Sequence, residues 1–260
     1  MLGKLLKYEF LATGRVFLPL FAALIVATLI NRLLSNLSMA APAAISMAIS
    51  VILMVGIGVL TFILILQRFR NNLLSNEGYL MMTLPVQTDS LILSKLITSM
   101  VWCVASFLVV MLSIVILSSG AINFSEIFIV IRQFFEMIRL EPIRVFIYSI
   151  EAIAVLILTM SSGILLLYAS MALSMMVNKR RGLFTFGAFI VLSTALQIVI
   201  TIIVSIADAT GVLDLLSFTM TSTFGQTQVA VLVLIGTQAA VCAVYYFITR
   251  YMLKNHLNLQ

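Results

Sequence analysis

The chain has 260 residues, 63% of them hydrophobic and only 9% charged, and a formal net charge of +6. A water-soluble domain carries about 25% charged and about 45–50% apolar residues, so a soluble globule of this length is excluded and lipid is the natural solvent. The two cysteines, Cys103 and Cys242, sit in apolar runs, which excludes a disulfide framework and leaves packing as their ordinary role.

Residues 1–15 open the chain with Leu2, Leu5, Leu6 and Phe10 at helical spacing and Lys4, Lys7 and Glu9 elsewhere around the turn. That pattern suits an N-terminal interfacial helix lying in the membrane surface, or a plain juxtamembrane anchor. A bilayer-spanning helix needs about 20 mostly apolar residues. Six stretches qualify: Val16–Leu34, Ala43–Leu66, Leu96–Leu117, Val155–Val177, Leu183–Ile206 and Val229–Ile248. They are long and continuous, without the ten-residue alternation of a membrane barrel, so they read as helices. The first apolar run begins only after 15 residues and five more follow, so a transmembrane helix is expected there, not a cleaved signal peptide.

Between the spans, Ser35–Pro42 is a short turn. Residues 67–95 form the longest segment on the basic side. Asn71-Asn72, Ser75-Asn76 and Glu77-Gly78 are turn or cap signals, Pro85 breaks any helix, and Thr88-Asp89-Ser90 caps the next one. Its apolar stretch Tyr79–Leu84 is costly in water and is expected to be covered by a partner or by the protein's own helices. Residues 120–144 predict a second interfacial helix. Ile127, Phe128, Ile131, Phe134, Phe135 and Ile138 share one face, opposite Glu126, Arg132, Gln133, Glu136 and Arg139. Counting back from Val177 places Glu151 at the membrane interface, about one turn deep, and not at mid-bilayer. Asp208–Gln228 is a polar loop without a glycosylation sequon or metal-ligand spacing.

Lys and Arg favour the cytoplasmic side. Six crossings put eleven basic residues on one side and four (Arg32, Arg132, Arg139, Arg144) on the other, together with six of the nine acids. Both ends are therefore expected in the cytoplasm. The fold class is an all-α integral membrane protein with six transmembrane helices, and the +6 charge is a topology signal, not a nucleic-acid footprint.

No G-x-x-x-x-G-K-[ST] loop is present to hold nucleotide phosphates, and the one histidine, His256, lies in the tail. Metalloprotease, Ser-His-Asp and di-iron chemistry are hard to build from what remains, and no metal site is expected. A buried acid relay, an Arg-rich voltage sensor and a T-V-G-Y-G filter are also missing. The chain is expected not to be an enzyme; it moves or scaffolds something with energy from elsewhere. Two polar stripes stand out inside the spans: Ser46, Ser50, Gly58 and Thr61 in the second, and Ser193, Gln197, Thr201 and Ser205 in the fifth. Small and hydroxyl residues are the usual glue between helices in lipid, and lining of a translocation path is the other reading. Ser99, Ser106 and Ser113 are assigned to packing.

Two segments carry a resemblance: Lys4-Leu5-Leu6-Lys7-Tyr8-Glu9-Phe10 with Thr13-Gly14-Arg15, and Asn72–Val86, which reads N-L-L-S-N-E-G-Y-L-M-M-T-L-P-V, followed by Leu93-Ser94-Lys95-Leu96. They resemble permease subunits of bacterial, Firmicutes-like ABC-2 type exporters. The E-G-Y-L-x-x-T-L-P-V pattern is the more specific, since lipid solubility does not demand it. The resemblance implies a single transmembrane permease domain over residues 1–260 in a bacterial plasma membrane. It implies pairing with a second permease chain, as homo- or heterodimer, and with two copies of a separate ATP-binding subunit that handles ATP and Mg. No cofactor is expected on this chain, and its other partner is membrane lipid. The segment 67–95 would carry the coupling helix, with Glu77, Gly78, Tyr79, Leu80, Leu84 and Pro85 at the ATPase. The second and fifth spans would line the path, making Ser46, Ser50, Ser193, Gln197 and Thr201 its candidate residues. Cargo would be hydrophobic or amphipathic: a peptide antibiotic, a drug or a lipid. One departure is that family members often carry short re-entrant helices between the fifth and sixth spans, where this chain has a modest loop. A non-transporting sensory or scaffold subunit and a membrane-embedded lipid enzyme are the other readings.

Overall fold

A computed structural model describes residues 2–37, 40–73, 88–118, 124–176, 181–209 and 223–255. Seven α-helices account for almost all of these: α1 (Leu2–Asn36), α2 (Ala40–Leu73), α3 (Thr88–Ser118), α4 (Phe124–Leu140), α5 (Pro142–Ser174), α6 (Arg181–Ala209) and α7 (Thr223–Asn255). No strand occurs among the described residues. Six helices, all but α4, are long and apolar enough to cross a membrane. The preference for helix has a direct cause. In hydrocarbon every backbone N–H and C=O must be satisfied within its own segment, which a helix does and an open strand does not.

The helices overrun the predicted spans. α1 has 35 residues, about 52 Å at ~1.5 Å per residue, against a hydrocarbon core of about 30 Å. Its first fourteen residues continue the spanning helix without a break. Pro19 lies inside this helix and cannot donate to the carbonyl of Arg15, one turn earlier. α5 begins at Pro142, well before Val155, because Ile143, Val145, Phe146, Ile147 and Ile150 prolong the apolar pattern. Pro142 suits a first helical position, where its missing N–H costs nothing. Only Glu141 separates α4 from α5.

The chain divides into two compact units: Met1–Phe69 with Ser90–Val145, and Arg70–Asp89 with Phe146–Gln260. In the first, Phe17, Phe21, Leu24 and Ile57 form a buried core, with Leu53, Leu64, Trp102 and Val109 packed around it. Trp102 stacks on Phe17 with centroids 4.6 Å apart. Hydroxyl and amide groups tie the helices together. Asn31 Nδ2 donates to the Ala43 carbonyl at 2.7 Å, and Ser46 Oγ to that of Ala27 at 3.3 Å. Thr61 and Ser106 share a buried hydrogen bond of 2.9 Å. In the second unit, α5 supplies the buried side chains Ile164, Leu165, Tyr168 and Met171, while α7 supplies Tyr245 and Leu253. The contacts Tyr148–Thr227, Glu151–Gln228 and Gln238–Thr159 advance together along α5 and α7, so these helices run parallel.

Candidate functional site

In the first unit α1 and α3 run parallel and α2 runs against them. The start of α1, the end of α2 and the start of α3 therefore share one end. Three charges meet there. Lys95 Nζ lies 2.6 Å from Glu9 Oε1, and Arg68 Nη1 lies 3.4 Å from Glu9 Oε2. The Lys95 side chain is 3% exposed and that of Glu9 is 11% exposed. An ion pair this buried is held by geometry: with one partner removed, the other is a buried, uncompensated charge costing about 3–5 kcal/mol. Arg68, 26% exposed, is the more open of the two cations. Thr13 Oγ1 donates to the Glu9 carbonyl at 2.6 Å. Beside the triad is a cavity of about 20 Å³ bounded by Thr13, Phe17, Thr98, Ser99 and Trp102, room for about one water. The Trp102 Nε1 donor is buried without an acceptor among the described residues.

The second unit carries a matching anchor at the start of α3. Asp89 Oδ1 accepts from the Tyr246 hydroxyl at 2.8 Å and pairs with Arg250 Nε at 2.9 Å. This pair is partly exposed, so its contribution is about 1 kcal/mol or less; its value is positional. The segment 74–87 is thus bordered by anchored residues. Arg68 comes shortly before it, and Asp89 and Lys95 come shortly after.

The residues expected at an ATPase contact, Glu77, Gly78, Tyr79, Leu80, Leu84 and Pro85, lie outside the described residues. Of the candidate path residues, Ser46 and Ser50 are buried in the first unit. Ser50 Oγ donates to the Ser46 carbonyl at 2.9 Å. Ser193, Gln197 and Thr201 lie on α6, whose apolar window buries none of its residues. Ser193 Oγ and Thr201 Oγ1 donate to the carbonyls of Ile190 and Gln197 in their own helix, at 3.0 and 2.9 Å. The exposed Gln197 amide has no side-chain hydrogen-bond partner among the described residues.

Sequence reasoning did not foresee the Glu9 triad, which joins residues 59 and 86 positions apart. The available signal was scarcity. In a chain with nine acids, a carboxylate on the first helix, close to the start of a span, calls for a cation. Nor did it foresee Gln228 as the partner of Glu151. Among the described residues, no three of His, Cys, Asp and Glu come together in a way that could hold a metal ion. No family model, curated protein or solved structure matches the chain.

Proposed function

We propose that the chain is the membrane-spanning permease subunit of an ATP-driven ABC-2 type exporter. It lies in a bacterial plasma membrane with both ends in the cytoplasm and moves a hydrophobic or amphipathic substrate out of the cell. ATP and Mg belong to a separate ATPase, bound in two copies, and a second permease chain completes the path. The observation that carries this reading is the segment Asn72–Val86, with its E-G-Y-L-M-M-T-L-P-V sequence, set between two helices whose neighbouring ends are joined by charge. A loop driven by a partner does useful work only if its motion reaches the helices. Arg68 and Lys95 both held on Glu9 make the ends of α2 and α3 move with α1. On this reading residues 2–15 begin at the inner interface and α4 lies on the outer one.

Two further features support transport. An amide such as Gln197 facing acyl chains with no partner costs several kcal/mol. It is therefore expected to face water in a path or a group on the second permease chain. The scarcity of charge along the six helices suits an apolar or amphipathic cargo. A permease of this kind has inward- and outward-open arrangements, and a ligand biases them only through its different affinity for the two.

Mild-detergent isolation of the tagged chain from its host, read by mass spectrometry, tests the reading. Recovery of a P-loop protein, lost on changing Tyr79→Asp together with Leu80→Asp, is the expected result. Recovery of the chain alone, or with partners lacking a nucleotide-binding motif, removes the energy source and with it the proposal.

A further inference from the structure

Glu151 is a carboxylate only 8% exposed, on the membrane-spanning helix α5. One oxygen, Oε1, accepts from Gln228 Nε2 on α7. Its other oxygen, Oε2, is buried and meets no donor among the described residues, and neither does the amide oxygen of Gln228. Two buried acceptors thus stand side by side without a hydrogen. A buried acceptor left in that condition is destabilising, a charged one more so. Glu151 also lines a cavity of about 610 Å³, walled chiefly by Val155, Leu156, Met160, Val231 and Leu234, with Tyr148 and Thr159 among its lining. That volume falls in the range of small-molecule sites, which are mostly apolar with a few placed polar groups. No Lys or Arg is among its described lining residues.

We propose that this cavity binds an amphiphilic amine. A primary ammonium at the Glu151 end donates to Oε2 of Glu151, with the Gln228 amide beside that carboxylate, and the apolar body lies along Val155, Leu156, Met160, Val231 and Leu234. Both free polar atoms are acceptors, so the ligand must bring donors. The carboxylate asks for positive charge. The walls ask for hydrocarbon. A quaternary ammonium has charge without N–H and leaves both acceptors unmet. An ethanolamine-headed lipid sets a phosphate within a few bonds of its ammonium, and no basic side chain in the lining would receive that anion. The occupant is therefore a free amine. The site belongs to the second unit alone and does not depend on the transport reading.

The test is equilibrium dialysis of 2-(1-naphthyl)ethylamine against the full chain in phosphatidylcholine nanodiscs, with empty nanodiscs subtracted. The corresponding naphthylethanol and N,N,N-trimethyl compounds are measured alongside. The amine is expected to bind roughly tenfold or more tightly than either, the scale of a charge-assisted hydrogen bond. Glu151→Gln should bring amine and alcohol to equal affinity. Leu156→Trp, which fills the cavity, should weaken binding of both. Replacing a third of the lipid by phosphatidylethanolamine should leave amine affinity unchanged. Equal affinity of amine and alcohol for the unaltered chain would overturn the proposal, and needs no variant to fold. So would a tenfold preference that survives Glu151→Gln, a loss of amine binding on adding the ethanolamine lipid, or no binding above empty nanodiscs.

Discussion

At the scale of single residues, the two buried charges described in the first unit, Glu9 and Lys95, are paired with each other. Glu9 meets both Lys95 and Arg68, but the two cations are not equivalent. Glu9→Gln leaves Lys95 buried without a counter-charge and is expected to cost about 3–5 kcal/mol. Arg68→Gln, at a partly exposed site, should cost about 1 kcal/mol or less. The double change Glu9→Gln with Lys95→Met removes both halves of the buried pair and should recover most of the loss. Thermal unfolding of the detergent-solubilised chain, followed by helicity, checks all three. Equal losses in the single and double variants would mean that charge pairing is not what holds these residues. This pairing was not legible in the sequence, because nothing local in residues 1–15 says which distant charge will arrive. Lys4, Lys7 and Glu9 read equally well as a polar face towards head groups. The three-dimensional course of α2 and α3 decides that Glu9 turns inwards.

At the scale of elements, the spans were legible and their ends were not. Apolar runs of about twenty residues have one stable form in hydrocarbon, so Ala43–Leu66 or Leu183–Ile206 could be placed by counting. Where a helix stops is set by what lies beyond the lipid, where counting gives no signal. α2 runs on through Gln67–Leu73 and α5 starts at Pro142. Contacts between helices differ in weight. The Thr61–Ser106 bond is shared by two helices that lipid would otherwise solvate well. Thr61→Val with Ser106→Ala is therefore expected to cost only about 0.6 kcal/mol, typical of hydrogen bonds between membrane helices. Trp102→Ala removes an aromatic stacked on Phe17 and should cost about 3–5 kcal/mol. Chemical denaturation with a helicity readout separates the two by size. A hydroxyl pair as costly as the tryptophan would reverse this ranking.

For the whole molecule, the order of crossings is what any function must respect. The parallel course of α5 and α7 and the antiparallel course of α1 and α2 fit a chain that changes side at every span. The Lys and Arg count then predicts which side is which. In a background carrying Cys103→Ala and Cys242→Ala, a thiol introduced by Lys4→Cys should be shielded from a membrane-impermeant maleimide in intact cells. One introduced by Gln133→Cys on α4 should be labelled. The opposite pattern would invert the molecule and put the segment 74–87 out of reach of any cytoplasmic ATPase. That segment is also where legibility runs in the other direction. Its sequence carries the more specific of the two resemblances, and its residues lie outside the described ones.

The chain holds a single tryptophan, and Trp102 stands where α1 and α3 meet, its ring stacked on Phe17, its indole nitrogen buried, and the residue itself lining the small cavity beside Glu9 and Lys95. Light absorbed at the red edge of the protein spectrum is therefore emitted from one known place. An indole shielded in this way fluoresces at short wavelength. If these helices part, water reaches it and the emission moves to longer wavelength and dims. The protein thus carries its own optical gauge, needing no dye, for whether the charged end of its first unit opens.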